Sequence, residues 1–175
     1  PELLRLLLDD HGLSWDDAWQ VVTETFAYTN HTVLAEALES WEVSIFQKLF
    51  WRIWQLVEEI DRRFRLDMEA RGVDSQRIEY MAPVSNGQVH MAWIACYAAF
   101  SINGVAALHT EIIKADTLCE WHELWPEKFN NKTNGVTPRR WLKMCNPRLA
   151  KLLTKQSGSD EWVTDLNSLA SLTQL

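Results

Sequence analysis

The chain has six glycines in 175 residues, and none falls in a GxGxxG or GxxxxGK[ST] arrangement. A self-contained dinucleotide or P-loop site is therefore excluded. Apolar residues never run on for the roughly 18 to 20 positions that a membrane-spanning helix needs. Cysteine is scarce: Cys96, Cys119 and Cys145 are odd in number, far apart and without a CxxC pair. That pattern fits a reducing compartment, and a cytoplasmic location is the expectation. The histidines His31, His90, His109 and His122 lack HExxH spacing, so no zinc site can be read from local sequence. Positive charge is also in short supply, with 17 Lys and Arg against 24 Asp and Glu and a net charge of -7. Neither nucleic acid nor an anionic membrane surface is expected as a partner.

What the chain does have is tryptophan, ten in all. Indole rings add large buried area and also stack on sugars, so they suit a heavy core or a carbohydrate protein. Most of the sequence carries helical spacing. Leu3, Leu4, Leu7 and Leu8 predict a short helix between Pro1 and Gly12, and Ser14-Trp15-Asp16-Asp17 resembles a capping box for a second helix ending near Phe26. Phe46, Leu49, Phe50, Ile53, Val57, Ile60 and Phe64 predict that Glu42 to Arg71 is the longest helix. Ser85-Asn86-Gly87 is a turn signal, predicting a hairpin between Tyr80-Met81 and Val89-His90. Helix is expected again from Met91 to Ala115, broken near Ser101-Ile102-Asn103-Gly104 and restarted with Val105, Leu108 and Ile112 inward. A short helix over Trp121 to Trp125 should stop at Pro126. Glu127 to Trp141 reads as a loop or crossover, after which Thr137-Pro138 and Asn146-Pro147 are candidate N-caps. Asp160 to Leu175 is predicted to be a further helix, and the absence of a clear ending there makes a fragment the expectation. The predicted class is mainly α, with one small β-hairpin.

Two polar stretches lie between these helices, Thr29-Asn30-His31-Thr32 and Asn130-Asn131-Lys132-Thr133-Asn134. Both offer neutral donors and acceptors, which is what a site for sugar hydroxyls requires. The same residue types are also the usual ones for caps and turns, and from the residues alone both readings stay open. His109, with Val105 and Ile112 near it on a helix, reads as a packed histidine with one hydrogen bond.

The phrases KFNNKTNGVTPRRWL followed by CNP, INGVAALHTEI and YTNHTVLAEALE closely resemble the α-glucan phosphorylases, which act on glycogen, starch and maltodextrin. The resemblance runs in order from Pro1 to about Leu153. It implies a piece of a two-domain α/β enzyme of glycosyltransferase B architecture. Residues 1–129 would be the helical end of the N-terminal domain, and 130–175 the crossover with the first helices of the C-terminal domain. The implied activity is release of α-glucose 1-phosphate from the non-reducing end of an α-1,4-glucan by inorganic phosphate, with pyridoxal phosphate as cofactor. The lysine that holds that cofactor belongs to a part of the family sequence outside this chain, so the fragment alone is expected to be inactive. The resemblance further implies a homodimer for the full-length enzyme.

Carried over by the same resemblance, His31 contacts the bound glucosyl unit and Asn131 holds its 6-hydroxyl. Thr32 and Ala37 lie near the same pocket, and Ile102 lines it. Three positions depart from the family pattern: proline is usual at Ala35 and Trp51, and glycine is common at Ala98. All three exchanges favour unbroken helix over a bend. A competing reading makes the chain a stand-alone helical interaction domain, with Trp51 and Trp54 as part of its surface.

Overall fold

The computed structural model describes residues 1–174. They form two compact units, Pro1–Thr133 and Asn134–Leu175. The first begins with α1 (Glu2–Arg5), which continues as a wider π-wound turn over Leu6–Asp10 and stops as Gly12 takes a φ of 67°. In α2 (Trp15–Thr25) the Ser14 hydroxyl accepts a hydrogen bond from the Asp17 N–H at 3.2 Å, the capping expected from the sequence. There follow β1 (Ala27–Thr29), a single 3₁₀ turn at Ala35–Ala37, β2 (Ser40–Glu42), α3 (Val43–Leu49) and α4 (Trp51–Ala70). Next come α5 (Ser75–Met81), β3 (Val84–Ser85), β4 (Gln88–His90), α6 (Met91–Ala98) and β5 (Ser101–Gly104). The unit closes with α7 (Ala107–Ile112), a π-wound continuation over Ile113–Thr117, α8 (Cys119–Leu124) and β6 (Phe129–Asn131).

The class is mainly α, but the described residues form two three-stranded sheets where one hairpin was expected. The predicted hairpin is present as β3 and β4, joined through Asn86 at φ 51° and Gly87 at φ 74°. Positive φ at both central residues is what a tight two-residue turn requires, and Asn-Gly supplies it at little steric cost. β2 adds antiparallel to the other side of β4. Tyr80 and Met81, expected as hairpin residues, instead end α5, whose N-cap Asp74 accepts from the N–H groups of Gln76 and Arg77, both at 3.0 Å. The second sheet is parallel, in the order β1-β5-β6. Ser101–Gly104, expected as a break between helices, is its central strand, and all of β6 belongs to the first unit.

The long helix is interrupted. Phe50, at φ -137° and ψ 48°, ends α3 and begins α4. Trp51 in place of proline therefore does not give unbroken helix. α3 is tied to the hairpin by the Val43 N–H donating to the Gly87 carbonyl at 3.0 Å, whereas Arg52 at the start of α4 reaches Asp9 at 2.8 Å. The segments on either side of Phe50 are thus held by different partners, and the helix is interrupted between them. Ala35 likewise does not extend a helix toward His31. The Val33 carbonyl is taken by the Thr117 hydroxyl at 2.8 Å, and the Glu39 carbonyl by the Met91 N–H at 3.1 Å, so strand pairing of β2 replaces helical bonding.

The main core packs Phe64, Met68, Ile78, Met81, Trp93, Ile102, Ile113 and Trp121 between α4, α6, α8 and the parallel sheet. Trp121 lies between Trp93 and Trp125, at 5.9 and 5.5 Å between ring centroids. These indoles are core. On α7 the expected inward residues are reversed: Leu108 is 75% exposed, while Thr110 and Ile113 are buried. The reason is the close approach of α7 to β5 described below. Lys128 caps α6, donating to the Cys96 and Tyr97 carbonyls at 3.2 Å each.

In the second unit Arg139–Met144 is π-wound and leads into α9 (Pro147–Ser157). Asn146 caps α9 by accepting from the Leu149 N–H at 3.2 Å, proline occupies the first position, and Gly158 at φ 78° ends it. The expected final helix is instead 3₁₀ at Glu161–Val163 and Leu166–Gln174, while Leu175 lies outside the described residues. Trp162, Ala150 and Val163 form this unit's own core.

Burial holds the His90 imidazole below its ordinary pKa, and its Nε2 lies 3.0 Å from the Ser85 hydroxyl across the hairpin. Between the folded and unfolded values the unfolded chain binds more protons, so this group's contribution to stability is lost as pH falls below about 6.5. Urea titrations on either side of that pH should show the loss, and His90→Gln should flatten it; an equal slope in the variant would contradict the assignment.

Candidate functional site

Parallel pairing brings three distant segments to one edge. Tyr28 pairs with Ile102 and Thr29 with Asn103, while Ile102 pairs with Phe129 and Gly104 with Asn131. The ladder runs one residue past the strands on each side: the Asn30 N–H donates to the Asn103 carbonyl at 2.9 Å, and the Lys132 N–H to the Gly104 carbonyl at 3.1 Å. Both polar stretches thus leave the sheet at its carboxyl edge, where ligands bind in open parallel sheets. With β5 between them, they start about 10 Å apart, twice the usual strand spacing.

His31 is exposed and lines a cleft of about 410 Å³ together with Thr32 and Ala37. The remaining wall comes from Tyr28, Asn30, Leu38 and Glu39, with Met91, Ala92 and Ala95 of α6. Asn30 is 1% exposed and organises the loop. Its Nδ2 donates to the Tyr28 hydroxyl at 3.1 Å, and its Oδ1 accepts from the Thr32 N–H at 2.9 Å. Burial raises the Tyr28 pKa, which keeps the phenol neutral. Asn103, also buried, accepts from the Thr29 hydroxyl at 2.9 Å.

The other two sequence candidates stand apart from this cleft. Ile102 is 1% exposed and packs into the main core, so here it supports the strand and does not form the cleft wall. Asn131 is exposed on the far side of β5. Its Oδ1 faces the Thr110 hydroxyl at 2.9 Å and its Nδ2 donates to the Thr133 hydroxyl at 3.1 Å. One amide hydrogen and one lone pair remain for a ligand. The edge presents mainly neutral donors and acceptors suited to hydroxyl groups, with the Glu39 carboxylate on the cleft wall and the Lys132 ammonium on Asn130 Oδ1 at 2.6 Å.

Sequence reading singled out neither Asn30 nor Asn103 as a supporting group, and their signal is weak: each is one polar residue at a strand end. His109 has two contacts where one was expected. Its Nδ1 accepts from the Val105 N–H at 3.1 Å, and its Nε2 lies 3.4 Å from the Thr32 carbonyl. Gly104 permits this. A Cβ there would sit 2.5 Å from the Thr110 hydroxyl and 2.9 Å from His109 Nδ1.

The sequence matches the carbohydrate phosphorylase family model over residues 1–175, which includes the segment beyond Leu153 where the recognisable phrases end. It is 46% identical to the cytosolic alpha-glucan phosphorylase 2 of Arabidopsis thaliana, covering 99% of this chain and 21% of that protein. It is 45% identical to glycogen phosphorylase of Bacillus subtilis, covering 98% of this chain and 22% of that one. Against the brain form of human glycogen phosphorylase the identity is 44%, over 100% of this chain and 21% of the relative. The chain thus spans about a fifth of the length of the curated relatives it matches. Gly104→Ala should cost about 1 to 3 kcal/mol of stability through overpacking against α7; denaturant unfolding equal to that of the unaltered chain would refute the close-approach argument.

Proposed function

The chain belongs to the carbohydrate phosphorylase family, and on that premise we propose that it is the part of a glucan phosphorylase that supplies glucosyl-site residues. The parent enzyme would use inorganic phosphate to release α-glucose 1-phosphate from the non-reducing end of an α-1,4-glucan. The observation that carries the reading is the shared edge: His31 with Thr32, and Asn131, leave the carboxyl side of one parallel sheet on either side of β5. Neutral side chains there can satisfy a sugar 6-hydroxyl without the cost of a buried charge. His31 and Thr32 are assigned to one wall of the glucosyl unit and Asn131 to the other, with Ala37 giving the first wall a small apolar surface. A carbonyl dipole of the His31 loop near the anomeric carbon would stabilise oxocarbenium character in the transition state.

The pyridoxal cofactor is a different matter. An aldehyde-binding lysine must face a cavity with its amine free. Of the half-buried lysines, Lys114 pairs with Glu111 at 3.1 Å, and Lys128 is committed to two carbonyls and to the face of Trp125 at 5.1 Å. Neither half-buried lysine is free to hold an aldehyde, and the proposal assigns the cofactor's lysine to the remainder of the parent chain. That remainder is accordingly this segment's obligate partner, along with glucan and phosphate, in an enzyme read as a homodimer. The Arabidopsis relative is named cytosolic, and a cytoplasmic location is proposed here too.

A second reading, a stand-alone interaction domain, draws on Leu49, Phe50 and Trp51, which are 62%, 54% and 64% exposed where α3 meets α4. Trp54, by contrast, packs against the Val57, Val89 and Ile94 cluster. In the phosphorylase reading that exposed patch meets the rest of the enzyme.

In the full-length parent, His31→Ala and Asn131→Ala should each lower turnover on maltoheptaose, each removing a hydrogen bond worth about 0.5 to 1.5 kcal/mol, or more where it strengthens in the transition state. Unaltered kinetics in both variants would sink the site assignment. The chain by itself, given pyridoxal phosphate, phosphate and maltoheptaose, should form no glucose 1-phosphate; sustained product would overturn the view that it needs its parent.

A further inference from the structure

The cleft loop and Asn131 lie on opposite sides of β5, yet one element touches both. The first turn of α7 carries His109 and Thr110 side by side, and the π-wound continuation carries Thr117. His109 Nδ1 accepts from the Val105 N–H, which leaves the ring proton of the neutral imidazole on Nε2, facing the Thr32 carbonyl at 3.4 Å. Two turns further on, the Thr117 hydroxyl donates to the Val33 carbonyl at 2.8 Å. Consecutive carbonyls of the loop beyond His31 are therefore held by α7 and its extension. Thr110 faces the other way. Its hydroxyl lies 2.9 Å from both the Ala106 carbonyl and Asn131 Oδ1, which ties the Asn131 amide to α7.

We infer that His109 and Thr110 are positioning residues that set the separation and orientation of the two walls of the glucosyl site, with Thr117 bracing the His31 wall. The inference rests on the reading of His31 and Asn131 as sugar-holding groups. Its physical basis is that a ligand gripped by two loops is held only as well as the distance between them is fixed. A displacement of about 1 Å in such a constellation can cost a hundredfold in rate. The loop after His31 has no helix to stiffen it, only the single turn at Ala35–Ala37. Its order comes from Asn30 on one side and from His109 and Thr117 on the other. Gly104 is the enabling residue, because any Cβ there pushes α7 off both contacts. The same close approach explains why α7 turns its polar residues toward the sheet and leaves Leu108 in solvent.

The test uses the full-length parent enzyme. His109→Ala should lower kcat/KM on glucan by about fivefold to tenfold, the loss of one or more ordinary hydrogen bonds, with part of the loss in kcat. His109→Gln, whose amide N–H can reach the Thr32 carbonyl, should recover most of it. His109→Asn, which can keep only the bond to Val105, should not. Thr110→Val should reproduce part of the Asn131→Ala defect and add little when combined with it. Hydrogen exchange at residues 31–34 should quicken in His109→Ala and return toward the parent rate in His109→Gln. If His31→Ala and Asn131→Ala impair the enzyme while the His109 and Thr110 variants match it in kcat and KM, the positioning role is overturned. If His31→Ala and Asn131→Ala are themselves silent, the glucosyl-site reading fails separately. Exchange then decides the clamp: unchanged protection at 31–34 overturns it, and faster exchange upholds it.

Discussion

The structure depends on β5 being paired on both edges. Four residues, Ser101–Gly104, carry the only parallel pairings among the described residues, and they join segments that begin 74 and 27 positions away in the ladder, at Ala27 and Phe129. Parallel pairs cannot be closed by a tight turn; each needs a long connection. Here those connections are most of the first unit. α3 to α6 lie between β1 and β5, and α7 and α8 between β5 and β6. The helices are in this sense crossovers serving a small sheet, and the carboxyl edge of that sheet is where the polar loops emerge.

Packing around the sheet shows how the tryptophans divide. Trp93, Trp121 and Trp125 form a run of tilted and stacked rings beside Phe64 and Tyr97, in the core cluster that also holds Ile102 of β5. Burial of this kind gives the short strands the apolar floor they could not supply themselves. Elsewhere the rings do local work. Trp15 stacks on Trp19 at 6.3 Å and lies under Arg63, whose charge also meets Asp16 and Glu59. Two guanidinium groups, Arg62 and Arg63, hold the Glu59 carboxyl down to about 2. These pairs are partly exposed, so they fix geometry more than they add stability.

Sequence reading succeeded where structure is set by neighbours in the chain. The Asn86-Gly87 turn, the Ser14 cap and the Asn146-Pro147 helix start all need only a few adjacent residues, and all three are present. It failed where distant partners overrode local preference. TVLAEALE has strong helix formers, but the Val33 carbonyl bonds Thr117 and the Thr32 carbonyl faces His109, so only one 3₁₀ turn remains. Phe50 interrupts a continuous apolar stripe whose two halves bond to distant partners, Gly87 on one side and Asp9 on the other. Ser101-Ile102-Asn103-Gly104 has the look of a helix break, which it is, but its role as a central strand depends on Ala27 and Phe129, unmarked in the local pattern. The candidate site follows the same division. His31 and Asn131 were found through recognisable phrases, whereas Asn30, Asn103 and Thr110 matter only through contacts that the fold creates.

That division bears on how such a site tolerates sequence change. Trp51 stands where the resemblance implies proline, yet the helix is still interrupted at Phe50, with Arg52 held by Asp9 on one side and Val43 by Gly87 on the other. Ala35 stands at another position where the resemblance implies proline, yet only a single 3₁₀ turn forms there, because the Thr32 and Val33 carbonyls are already engaged. A conformation fixed by several tertiary hydrogen bonds needs no proline to forbid the alternative; the proline would only lower the entropy of the unfolded chain. Gly104 differs in kind. No hydrogen bond can make room for a Cβ between β5 and α7, so its constraint is steric and has no substitute elsewhere in the fold. The strictest sequence requirement in this segment therefore falls on the glycine that lets α7 come close enough to hold the polar loops on both sides of β5.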